Sequence, residues 1–204
     1  MSANLLIHNA RLVTPDQPAK RGWLLCVDGK IDRIGYGDAP AFLDAAPIDG
    51  LNRLLLPGFV DVHVHGGNGH EIMDAQPDTL PELSRFYARH GVTSFLATTW
   101  TETREHIQTA LEYLAEWRDT PLPGARVLGA HLEGPYINVE KAGAQNPAYV
   151  RPASQEEATA FLDTGVIRLL SLAPEIKENQ WLIGECVRRG ITVSAAHTSA
   201  SFGD

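Results

Sequence analysis

Two histidines, His63 and His65, close the run Leu54-Leu55-Leu56-Pro57-Gly58-Phe59-Val60-Asp61-Val62-His63-Val64-His65-Gly66. On an extended strand alternate side chains share a face, so Asp61, His63 and His65 are expected on one side and Val60, Val62 and Val64 on the other. Two imidazoles so placed can converge on one metal ion, a role for which histidine is the commonest side chain. A polar inner face backed by an apolar outer one also suits a parallel barrel strand, which packs helices outside and presents ligands at its C-terminal end. Taken alone, the pair is equally compatible with hydrogen-bonded histidines in a core or on an edge strand.

Two more groups join the account. Glu133 ends the segment His131-Leu132-Glu133-Gly134-Pro135-Tyr136, and a carboxylate there can bind one metal or bridge two. By itself an acidic residue before Gly-Pro reads as a solvated loop residue. His197 follows Ser194-Ala195-Ala196, where small neighbours leave an imidazole room to reach inward; by itself it reads as a loop histidine. Together His63, His65, Glu133 and His197 fall at the C-terminal ends of predicted strands, where barrel folds place their active sites. His131 shares the inward face with Glu133 and is a candidate for supporting the site or touching a ligand, with a purely structural role as the alternative. His8, His90 and His106 sit in peripheral contexts that read as surface or packing positions.

The elements that must position these groups follow two regimes. Residues 1–55 carry short β-rich pieces, Leu5 to Val13, Trp23 to Val27 and Lys30 to Ile34, with an Asp28-Gly29 turn between the last two, as in part of a small β-sandwich. From residue 56 to 204 the pattern becomes strand, loop, helix, repeated, the signature of a parallel α/β fold. One helix is expected over Asp78 to His90, stopping at Gly91 before the strand Val92 to Thr98. Another over Thr103 to Trp117 feeds the strand Arg126 to Glu133. A third opens at Ser154, with Glu157 completing a capping box, and ends at Gly165 before Val166 to Leu172. A fourth runs to Arg189, stops at Gly190 and leads into Ile191 to His197. Arg189-Gly190-Ile191-Thr192 echoes His90-Gly91-Val92-Thr93, a shared helix-to-strand junction. Five parallel strands result, about half of a (β/α)8 barrel, which needs ~250 residues; the chain is expected to lack the second half.

Composition narrows the function classes. With 44% hydrophobic and 21% charged residues the chain lies in the ordinary globular range. A formal net charge of -8 argues against a nucleic-acid or membrane surface while leaving room for a local cationic pocket. Cys26 and Cys186 sit in apolar segments and read as free thiols of a reducing compartment. Met1-Ser2-Ala3-Asn4-Leu5 has no basic, then apolar, leader pattern, and no apolar run approaches the ~20 residues of a span, so a cytoplasmic location is expected.

The motif Pro57-Gly58-Phe59-Val60-Asp61-Val62-His63-Val64-His65-Gly66 resembles the opening of the amidohydrolase superfamily. The block His131 to Asn138, followed by Lys141-Ala142-Gly143-Ala144-Gln145-Asn146-Pro147 and the later Ala196-His197-Thr198, resembles its N-acetylglucosamine-6-phosphate deacetylase family, and the resemblance covers essentially the whole chain. It implies a metal-dependent-hydrolase TIM barrel and a cytoplasmic, usually homodimeric hydrolase that takes acetate from the amide nitrogen of a small-molecule sugar phosphate. It implies that Glu133 and His197 are ligands of a divalent metal (Zn, Fe or Mn), that His63 and His65 add a second half-site for one or two ions in all, and that Ala144 and Gln145 lie in the loop contacting the sugar. The family's proton-shuttling aspartate, a further histidine ligand and most phosphate-binding groups are expected beyond residue 204. Asp204 matches none of these motifs, and little or no turnover is expected of residues 1–204 alone. A dihydroorotase-like or N-acyl-amino-acid hydrolase would share the first motif but not the Glu133 block. A non-catalytic fragment acting by complementation is the reading from another class.

Overall fold

Asp28 and Gly29 both adopt left-handed backbone, with φ of 49° and 75°, which is what a two-residue hairpin needs to match the twist of its strands. They join two strands of a first unit, residues 1–57; the second unit is 58–204. The structure, a computed structural model, describes residues 4–41 and 44–203. The sequence readings at Met1 to Ala3 and at Asp204 lie outside the described residues.

The first unit is one five-stranded sheet, a layer of the sandwich part expected from sequence. Strands β1 (Asn4–Thr14), β2 (Gln17–Val27), β3 (Lys30–Tyr36) and β4 (Ala45–Asp49) run in the order β3-β2-β1-β4, and β5 (Leu54–Leu55) also pairs with β1. β2 begins at Gln17 rather than Trp23 because its polar start pairs with the end of β1, Leu12 with Lys20 and Thr14 with Gln17. Backbone pairing extends a strand where hydrophobic alternation is missing.

In the second unit, β6 (Phe59–Val64) is followed by a small hairpin of β7 (Gly66–Gly67) and β8 (His70–Glu71). Then come α1 (Thr79–Arg89), β9 (Val92–Thr98), α2 (Arg104–Glu116) and β10 (Arg126–Glu133), and after a long loop α3 (Gln155–Asp163), β11 (Ile167–Leu172), α4 (Gln180–Arg188) and β12 (Thr192–Ala195). The five long strands pair in parallel, in the order β12-β11-β10-β9-β6, which makes the second unit the curled half-barrel expected. Its outer face holds the core: Leu83, Phe95, Leu111, Leu132, Phe161 and Leu170 are fully buried between sheet and helices, each side chain contributing about 1.5–3 kcal/mol by leaving water. Among the described residues no helix is long and apolar enough to cross a membrane.

Strict alternation fails along β6. The register with β9 slips between Asp61 and Val64, a bulge that places an extra residue on β6. Asp61 pairs with the buried Phe95 on the helix side, where its charge and, above all, burial push the Tyr87 phenol upward. Val62 instead joins Leu96, Leu128 and Leu169 on the concave face. The expected grouping of Asp61 with His63 and His65 is therefore corrected: the bulge reverses the parity at Val62-His63, so both histidines face inward while Asp61 does not. A second irregularity, between Val127 and Gly129 of β10, does the same for His131 and Glu133. Gly129 has φ 142°, and a Cβ there would strike the Val166 carbonyl.

The capping box at α3 is half realised. The Ser154 hydroxyl accepts the Glu157 N–H at 3.3 Å, but the Glu157 carboxylate turns inward to Arg151 at 3.0 Å and accepts the Tyr136 hydroxyl. A partly buried arginine offers the carboxylate charge-assisted bonds that a backbone N–H cannot match.

Candidate metal centre

Glu133 is the focus of the concave face. It ends β10, is 6% exposed, and receives three imidazoles from two other segments, the end of β6 and the loop after β12. His65 Nε2 lies 3.1 Å from its Oε2, His197 Nε2 3.0 Å from its Oε1, and His63 Nε2 3.9 Å from Oε1. Donor atoms of His63, His65 and Glu133 all fall within 4.8 Å of one another. The four residues singled out in the sequence are thus brought together around one carboxylate.

The electrostatics suit a cation. Burial alone would raise the Glu133 carboxyl, but the imidazoles of His65, His197 and His63 close beside it outweigh burial and bring the group down to about 2, so it is ionised at neutral pH. His131, 4% exposed, is moved the other way: burial first, then the neighbouring His63, lower it to about 4, against the pull of Glu133. It is neutral at pH 7, with Nε2 2.8 Å from the Ser171 hydroxyl and Nδ1 3.2 Å from His63 Nδ1. His131 therefore touches a ligand candidate and a strand neighbour.

The donor set fits a divalent metal of the Zn, Fe or Mn type, which takes imidazole nitrogen and carboxylate oxygen. His197 carries the most direct test of fit. Its Nδ1 is 2.8 Å from the Lys141 carbonyl and its Nε2 faces the Glu133 carboxylate. Both partners only accept, and a neutral imidazole has one proton to give. With that proton on Nδ1, the lone pair on Nε2 and the carboxylate face each other as two ligand atoms do across a cation. His65 is held differently: its ring stacks on Trp100 with centroids 3.7 Å apart, and its Nδ1 is buried without a partner.

The loop singled out after β10 divides its tasks. Gln145 is buried, donating Nε2–H to Glu133 Oε2 and accepting the Thr101 N–H, each at 2.6 Å. Ala144 instead lines an open cavity of about 320 Å³ beside Trp100, with Glu71, Asp74 and Asn146 also on its wall. Of the peripheral histidines, His90 Nδ1 meets the Phe86 carbonyl and His106 Nε2 the Met73 carbonyl, both local packing contacts. Trp100, Ser171 and Glu175 escaped the sequence reading. Each lies close to the end of a strand, Trp100 two residues after β9, Ser171 next to last in β11 and Glu175 three residues beyond it, and proximity to a strand end was the signal that could have found them.

Comparison with known proteins agrees with this geometry. No family model matches the chain. The chain is 36% identical over 206 residues to the N-acetylglucosamine-6-phosphate deacetylase of Bacillus subtilis (strain 168), covering 98% of the chain and 52% of that protein. It is 34% identical over 188 residues to the N-acetylgalactosamine-6-phosphate deacetylase of Escherichia coli O157:H7, covering 90% of the chain and 49% of that protein. The crystal structure of N-acetylglucosamine-6-phosphate deacetylase from Pasteurella multocida matches with a TM-score of 0.85 at 30% identity, over 98% of this chain and 52% of that one. A curled parallel sheet with histidines and a carboxylate gathered at its strand ends, together with these likenesses, places the chain in the amidohydrolase superfamily. Within it the sequence belongs with the N-acetylglucosamine-6-phosphate deacetylases, and the chain spans about half the length of the curated relatives it matches.

Proposed function

We propose that this chain supplies the metal-holding part of a hydrolase that removes acetate from N-acetylglucosamine 6-phosphate. The observation that carries the reading is the convergence of His63, His65 and His197 on Glu133. Glu133 and His197 hold one divalent ion, and His63 with His65 provides the half-site for a second. When bound, the metal lowers the pKa of a water to about 7 and polarises the acetyl carbonyl. The chain's own residues prepare the site for that chemistry. Glu133 is already ionised, so no proton has to leave it, and Gln145 fixes its rotamer through Thr101. The Lys141 carbonyl holds the proton of His197 at Nδ1, and Trp100 holds the plane of the His65 ring. Ala144 contacts the sugar, a role supported by its position on the cavity wall beside Trp100, where a small side chain leaves room. The proton donor to the departing amine belongs, by the resemblance, to the last barrel strand, so residues 1–204 alone turn over little or nothing. The acting protein is a cytoplasmic homodimer.

The likeness to an N-acetylgalactosamine-6-phosphate deacetylase favours a second reading, the C4 epimer as substrate. The test is acetate release from both sugar phosphates, with added Zn²⁺, Fe²⁺ or Mn²⁺, by residues 1–204 alone and joined to the polypeptide encoded downstream. Activity of the extended protein on the gluco substrate, abolished by Glu133→Gln, is expected; preference for the galacto substrate establishes the second reading, and activity on neither overturns both.

A further inference from the structure

Glu175 takes no part in the chemistry above, yet its carboxylate accepts three hydrogen bonds. It lies in the loop between β11 and α4, and its acceptors are filled from two other loops: Asn138 Nδ2–H at 2.9 Å, the Ser199 N–H at 2.8 Å and the Thr198 hydroxyl. Those loops are the ones that hold His197. The Asn138 N–H donates to the His197 carbonyl at 2.9 Å. The Asn138 Oδ1 accepts the Glu140 N–H at 2.9 Å, closing the turn Val139–Lys141, whose last carbonyl meets His197 Nδ1 at 2.8 Å. His197 itself has φ 48°, a left-handed backbone that is uncommon outside glycine and costs a residue with a side chain some strain.

We propose that Glu175 is a positioning residue for His197: it ties the loop after β12 to the Asn138 turn and so aims His197 Nε2 at Glu133. The charge matters as much as the shape. All three donors point at one carboxylate, and a carboxylate accepts them with oxygens alone. A glutamine would present an NH2 group on one side: facing Asn138 or Ser199 it leaves an N–H unpaired, and facing Thr198 it reverses the bond, so that the hydroxyl accepts instead of donating, its own proton loses its acceptor, and that side of the tie is weakened. Without the tie, the backbone of His197 relaxes out of the left-handed region and the proton on Nδ1 loses its fixed acceptor, so the ring no longer presents a lone pair to the metal. Residues that orient a ligand from behind in this way typically govern metal affinity by 10–100-fold.

The inference rests on His197 being a metal ligand, and the experiment separates the two. Co²⁺ affinity, measured by competition with a chelator, is compared for the 204-residue chain and for His197→Ala, Glu175→Gln and Thr198→Val, alongside the ¹⁵N signature of the His197 Nδ1–H tautomer in the metal-free protein. Expected are a large loss for His197→Ala, about a tenfold loss for Glu175→Gln with a mixed His197 tautomer, and a smaller loss for Thr198→Val, which keeps two of the three donors. Weakened binding in His197→Ala with unchanged affinity and tautomer in Glu175→Gln overturns the positioning role. Unchanged binding in His197→Ala overturns the ligand reading instead, and the tautomer of Glu175→Gln alone then decides whether Glu175 positions the ring. Should Glu175→Gln fail to fold, Thr198→Val carries the test: an unchanged affinity and tautomer there overturns the proposal.

Discussion

Gln145 and Glu133 form a buried pair in which the amide donates to the carboxylate at 2.6 Å while its own oxygen is fixed by the Thr101 N–H. The amide cannot rotate without leaving Thr101 unpaired, so it sets the direction of the Glu133 oxygens. Replacing it by leucine removes the donor and leaves a buried N–H unsatisfied, at a cost of about 1–3 kcal/mol. Gln145→Leu is expected to weaken metal binding about tenfold and to lower the urea midpoint; metal affinity equal to that of the unaltered chain would show that Glu133 is held by its histidines alone.

Gly129 lies at the irregularity that turns His131 and Glu133 inward, with φ 142° and the Val166 carbonyl in the place of a side chain. Gly129→Ala forces a Cβ into that carbonyl and a backbone conformation costing about 1–3 kcal/mol. We expect lower stability together with weaker metal binding, since the bulge and the facing of Glu133 are one feature. Calorimetry paired with Co²⁺ titration checks this, and loss of stability without loss of affinity would separate the two.

The concave face of the half-barrel is apolar below the histidines. Val60, Val62 and Leu128 are 58%, 52% and 38% exposed, and one residue or more from each of the five strands bounds an open cavity of about 590 Å³. Contiguous apolar surface of this kind binds hydrophobic dyes and promotes association. The chain is expected to enhance anilinonaphthalene sulfonate fluorescence and to self-associate with rising concentration. Val62→Lys should reduce both signals while leaving the far-ultraviolet circular dichroism unchanged.

Glu175 also gives the chain a pH dependence. Burial opposes its charge, but the Thr198, Asn138 and Ser199 donors prevail and bring it from 4.5 down to about 2. The folded group holds its proton less tightly than the unfolded one. Its stabilising contribution is therefore complete above pH about 4.5 and is lost as the pH falls toward about 2. The difference in urea midpoint between the chain and Glu175→Gln is expected to shrink from pH 6 to pH 3; a difference constant over that range would contradict the assignment.

In the second unit local sequence determined which segments became the long strands and the helices, whereas in the first it did not mark β4 or the start of β2, which pairing with β1 supplies. Val92–Thr98 and Arg126–Glu133 are strands over the very residues whose pattern marked them, and α1 and α4 stop just before Gly91 and Gly190, both left-handed. Periodicity and helix-stop chemistry act over a few neighbours, so one chain suffices to read them. For the same reason the four candidate ligands were legible: each stands at or just past a strand end, and parallel strands bring such ends together.

Only the tertiary structure decided which way the side chains at those ends turned and what held them. Asp61 faces the helices and Val62 the concave side because β6 slips one residue against β9, and a slip is a property of two strands in register. Glu157 left its cap for Arg151 and Tyr136, and Gln145 took Glu133 as partner, because burial makes a carboxylate or an amide seek the strongest available partner wherever the chain supplies it. The hold of Glu175 on Thr198 and Ser199 spans more than twenty residues of sequence. Pairings of that range leave no periodic trace, and they become determinate only when packing has fixed the loops that carry them.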